Sequence, residues 1–119
     1  MSEDTGQDRL GHYERLVATI PEVERKGKTV PYTSVNGNMF SYLAKSGRMA
    51  LRLPQPARSE FLDRYDSSLC EEYGVVQPEY VVVPDTLLEN TAELEPYFAA
   101  SYAYTSALKP KATARKKQP

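Results

Sequence analysis

Val30 to Leu53 reads VPYTSVNGNMFSYLAKSGRMALRL, and its turn residues predict two consecutive β-hairpins. Asn36-Gly37 stands between two β-rich runs, and this pair suits a two-residue type I′ turn because both central residues take φ > 0. Lys45-Ser46-Gly47 then fits a three-residue loop closed by a left-handed glycine. The strands so defined are 28–35, 38–44 and 48–53, with Pro31 confined to a strand start or an edge.

Working outward, Leu10, Tyr13, Leu16, Val17 and Ile20 recur at helical spacing, which predicts an amphipathic first helix over residues 4–20, ended by Pro21. Pro54 stops the sheet, and Pro56 opens a second helix running to Tyr65, because a missing N–H costs nothing in the first turn. Phe61, Leu62 and Tyr65 form its inward side. Residues 66–77, broken by Gly74, leave open one further short strand at Val75-Val76. The β-branched density of Glu79–Val83 predicts a buried strand. The last helix is expected from Thr91–Glu93 to Leu108, with Pro96 in or near its first turn. Leu94, Tyr97, Phe98, Tyr104 and Leu108 mark its apolar side, and Ser101 on that stripe permits close approach. The expected fold class is α+β: helix, three-stranded antiparallel meander, helix, one or two strands, C-terminal helix.

The 119 residues suit one domain, expected over 1–108. The 40% hydrophobic and 26% charged residues, with nine tyrosines, are those of a folded chain. The single cysteine, Cys70, fits a reducing compartment, and the polar, acidic amino terminus is unlike a signal peptide. No apolar run approaches the roughly 20 residues that span a bilayer. Cytoplasmic residence without membrane attachment is therefore expected.

Lys109, Lys111, Arg115, Lys116 and Lys117 concentrate five of the 15 basic residues in the last eleven positions, so residues 109–119 read as a disordered basic tail. The remainder sets ten basic against sixteen acidic side chains, a formal charge of −6. Such a body argues against a large nucleic-acid surface, which needs clustered Lys and Arg.

The element order, together with VNGNMFSYL, the strand RMALRLP leading into PARSEFL, and EYVVVP before a Tyr-rich helix ending SALKP, resembles the TfoX amino-terminal domain family over residues 10–110. The resemblance implies a secretion-chaperone-like α+β fold and a small bacterial protein related to a competence-regulator domain. Similar meanders occur in the YjbR and MmcQ group.

Chemistry-bearing constellations are sparse. His12 and Cys70 are too few ligands for a structural zinc site, and Glu71-Glu72 beside Cys70 favour its protonated thiol. Asp63 with Asp66 sits among polar neighbours that would not raise a carboxyl pKa. No Walker sequence, GxGxxG, GxSxG or HExxH occurs. No catalytic, cofactor-binding or metal-binding residue is assigned.

One face stands out. The turn-set register places Thr33 opposite Phe40, Phe40 opposite Arg52, Tyr42 opposite Ala50 and Ala44 opposite Arg48, all on one side by strand alternation. Met39, Leu43, Met49, Leu51 and Leu53 take the core side. Phe40, Tyr42, Arg48 and Arg52 are thus the candidate interaction face. The expected function is a non-enzymatic interaction or regulatory module, dimeric, binding an unidentified protein partner through that face or the Tyr-rich last helix. Two alternatives stay open: weak nucleic-acid binding through Arg48, Arg52 and the basic tail, and a small-ligand pocket beside Tyr97 and Tyr104.

Overall fold

Turn chemistry sets the front half of the molecule. Asn36 and Gly37 take φ of +56° and +76°, as a type I′ turn requires, and join β1 (Tyr32–Val35) to β2 (Asn38–Leu43). Gly47, at φ +93°, leads into β3 (Met49–Arg52). The computed structural model describes residues 5–27, 30–44, 47–72 and 74–108; Lys45, Ser46 and the basic stretch 109–119 lie outside them.

The other elements are α1 (Thr5–Val17), α2 (Ala57–Arg64), β4 (Leu69–Glu72), β5 (Val75–Val83), α3 (Asp85–Leu88) and α4 (Thr91–Ser106). All strand pairs are antiparallel, in the order β1-β2-β3-β5-β4. The α+β architecture expected from the sequence is the one observed. Val75-Val76 and Glu79–Val83 belong to one long strand, β5, whose first residues pair with β4 and whose last pair with β3. The sequence reading contained neither β4 nor the single-turn α3.

Asn90 caps α4, its side chain accepting from the Glu93 backbone N–H while its amide donates to Glu93 Oε1. Pro96 is the sixth residue of α4, near its first turn as expected but past it. Its missing N–H deprives the Ala92 carbonyl of a helical bond.

Every helix packs on one side of the sheet. Tyr13, Leu16 and Val17 of α1, Phe61 of α2, Leu87 and Leu88 of α3, and Leu94 and Phe98 of α4 bury themselves against Leu43, Met49, Leu51, Leu53, Val81 and Val83. A hydroxyl chain keys α1 to the sheet: Tyr13 Oη lies 2.7 Å from Ser41 Oγ, which lies 2.5 Å from Thr33 Oγ1. Ser101 is fully buried on α4, as the stripe predicts, and donates to the Phe40 carbonyl at 3.4 Å. None of the helices is long and apolar enough to cross a membrane, among the described residues.

Candidate functional site

A β-bulge overturns the predicted register on β1. Thr33 opposes Ser41 while Ser34 opposes Met39, so Phe40 is the extra residue and has no partner on β1. The extra residue breaks the alternation of side chains on β2. Phe40 turns under α4, where its ring centroid stands 5.5 Å from that of Phe98 and 5.8 Å from that of Tyr102. It is fully buried there. Met39, expected in the core, turns to the opposite side with Tyr42.

The four predicted face residues are consequently not brought together. Phe40 belongs to the helix-covered core and Tyr42 to a second cluster on the other side of the sheet. Arg52 is engaged: its Nε donates to Glu79 Oε1 at 2.6 Å, and its guanidinium lies 5.9 Å from the Tyr104 ring centre. Tyr104 Oη donates to the other Glu79 oxygen at 2.9 Å. Arg48 is exposed before the other end of β3, with Nη1 3.5 Å from the Glu71 carbonyl oxygen. The β2–β3 register holds as expected, with Tyr42 opposite Ala50.

The second side of the sheet carries a different constellation. Tyr42, Ala50 and Cys70 are buried there, flanked by half-buried Tyr32, Met39, Ala44, Tyr80 and Val82. In a flat sheet β2 and β4 would be three strand spacings, roughly 14 Å, apart. Yet Tyr42 on β2 donates to Gln77 Oε1 at 2.8 Å and its phenol oxygen stands 3.1 Å from Cys70 Sγ on β4. The sheet therefore curls, folding the β4–β5 hairpin over its own helix-free side.

The irregularity that permits this lies between the pairs Leu69↔Val81 and Glu71↔Val76, where Cys70 alone faces Gln77, Pro78, Glu79 and Tyr80. Pro78 has no N–H to give a ladder, which suits the unpaired stretch. Tyr80 secures the base of the curl, its ring centroid 5.7 Å from that of Tyr42 and its hydroxyl donating to the Met39 carbonyl at 2.7 Å. Burial pushes the Tyr80 phenol up to about 12.

Beyond the curl the hairpin ends in Val75 and Val76, 63% and 52% exposed, the most exposed large hydrophobic residues among those described. Sequence reasoning missed this surface, although the alternation in Glu79–Val83 already put Tyr80 and Val82 on one side together. No signal in the sequence marked the bulge at Phe40.

Two clefts elsewhere are lined by described residues. One, of about 320 Å³, lies at the carboxyl end of β5 and includes Arg9, Arg48 and Asp85. It is bridged by a two-bond ion pair, Arg9 donating to both Asp85 oxygens at 3.1 and 2.8 Å. The other, of about 380 Å³, lies at the β1 edge beside Lys26, Tyr32 and Met39. Tyr97 and Tyr104, expected beside a small-ligand pocket, instead bond Arg64 and Glu79. Among the described residues no group of three or more His, Cys, Asp or Glu side chains is placed to hold a metal ion. Neither the protein-family models, nor the curated proteins, nor the solved structures compared with this chain match it.

Proposed function

We propose that this chain is a non-enzymatic interaction module that pairs with a second copy of itself through the curled β4–β5 hairpin and the helix-free side of the sheet. The observation that carries the reading is the exposed Val75-Val76 pair at the end of that hairpin. Adjacent strand residues point to opposite sides, so the hairpin offers apolar surface on both. Exposed β-branched residues at an edge invite association, and a twofold contact uses one such patch twice. Half-buried Tyr32, Met39, Tyr80 and Val82 continue the apolar surface across the sheet.

Membership of the TfoX amino-terminal domain family is part of the same proposal. It is supported by the order helix, meander, helix, hairpin, helix and by the motifs VNGNMFSYL and EYVVVP. A cytoplasmic setting rests on the single cysteine, Cys70, held buried against a phenol.

The test is light scattering after size exclusion on the wild type and on Val75→Asp/Val76→Asp. Both side chains are largely solvated, so the variant keeps its fold, checked by circular dichroism. A dimeric wild type and a folded monomeric variant are expected. A wild type that stays monomeric at high micromolar concentration overturns the reading.

A further inference from the structure

The cleft at the β1 edge holds a cation, Lys26, for which no acidic partner stands among the described residues. Lys26 is fixed by its backbone, which exchanges two hydrogen bonds with Tyr32 at 2.8 and 2.9 Å. Its ammonium reaches Ser34 Oγ at 3.3 Å and forms no ion pair with a carboxylate among the described residues. Lys26 is exposed, and a solvated ammonium beside apolar walls offers an amphipathic anion a charge partner for one end and a surface to cover with the other. Those walls are Tyr32, Val35 and Met39, all half-buried, and the cleft of about 380 Å³ is large enough for one sizeable side chain and its carboxylate.

One further feature favours an extended occupant. The backbone pairing of Lys26 with Tyr32 is an isolated bridge that does not continue along β1. Ser34, two residues on, turns its N–H and carbonyl the same outward way by alternation, so an added strand could pair there.

We propose that this cleft binds the carboxylate of an apolar ligand, with the carboxylate on Lys26 and the apolar group on Tyr32, Val35 and Met39. The same chemistry is presented by a free apolar acid and by the carboxyl-terminal residue of an extended peptide. The cleft shares Tyr32 and Met39 with the proposed dimer surface but takes its charge from Lys26, which has no part in that contact; the monomeric Val75→Asp/Val76→Asp variant should therefore bind the ligand at least as well as the wild type, and its binding separates the two readings.

The experiment is an amide-resolved NMR titration of the full chain at low salt with three probes: N-acetyl-leucine, N-acetyl-leucinamide, and an acetylated hexapeptide ending in leucine with a free carboxylate. The expected result is saturable shifts at Lys26 and at Ser34 to Gly37 with an acid and none with the amide. Lys26→Met, which keeps the apolar stem, should weaken binding about tenfold, and Lys26→Arg should restore it. A peptide that binds tighter than N-acetyl-leucine assigns the site to peptide termini, and equal affinity assigns it to free acids. The proposal is overturned if neither acid gives saturable shifts, if the amide binds as well as the acid, or if Lys26→Met leaves affinity unchanged.

Discussion

Tyr42 on β2 and Cys70 on β4 are separated in the sheet order by β3 and β5, yet the phenol oxygen lies 3.1 Å from the thiol sulfur. That contact, with the bond to Gln77, pins the curl that covers Ala50 and carries Val75-Val76 outward. Tyr42→Phe keeps the ring and removes both polar contacts. The expected loss is about 1 kcal/mol in chemical denaturation, with faster amide exchange confined to β4 and the first residues of β5. Uniformly faster exchange across the whole sheet would show that the curl is not a separate unit.

Phe40 tests whether the bulge serves the core or a surface. Fully buried against Phe98 and Tyr102, its truncation to Ala should cost about 3–5 kcal/mol. A loss under 1 kcal/mol in thermal or urea unfolding would contradict its place under α4.

Thr105 is fully buried on α4 and its hydroxyl finds no partner among the described residues. An unpaired buried hydroxyl is a net cost, so Thr105→Val, which keeps the shape, should stabilise the chain by about 1 kcal/mol. A lower midpoint in urea would mean that the hydroxyl has a partner in solution.

Gly47 combines a positive φ with close approach. A Cβ there would run into Arg9 Nη1, the far end of a flexible side chain that can yield, whereas φ of +93° cannot be relieved so simply. Gly47→Ala should therefore cost about 1–2 kcal/mol, nearly the same in an Arg9→Ala background. A cost that vanishes in that background would assign it to the clash.

Titration should reveal two ends of the pH range. Burial pushes the Tyr13 phenol up to about 12, its hydrogen bonds to Ser41 and Thr33 offsetting only part of the rise. A folded-state value above the ordinary tyrosine value of about 10 means stability that is intact below pH 10 and lost as pH rises through 12. Tyr13→Phe should flatten that alkaline loss. At the acid end, burial alone would raise the Glu79 carboxyl, but hydrogen bonds from Arg52 and Tyr104 outweigh it and hold it low. Arg9 likewise holds Asp85 low, chiefly through its hydrogen bonds. Their stabilisation is present above the ordinary carboxylate range and fades as pH falls below about 4. Glu79→Gln should make unfolding less pH-dependent there.

What the sequence determined by itself is what depends on neighbouring residues alone. Asn36-Gly37 specified the first turn, because few residue pairs accept two positive φ values. The apolar stripes of α1 and α4 specified their buried sides, down to Ser101. The β-branched run at Val81 to Val83 specified a strand. Tertiary structure decided the rest. Phe40 left its alternating place because burial under α4, sixty residues away in sequence, outweighs one lost strand pair, and no local pattern records that contest. Gly74 reads as a break in the sequence, yet it sits in the β4–β5 turn, and the unpaired stretch around Pro78 is what lets the hairpin fold back onto Tyr42. The bulge separated Phe40 from Tyr42 and Glu79 engaged Arg52, while the curl lifted Val75 and Val76 into solvent.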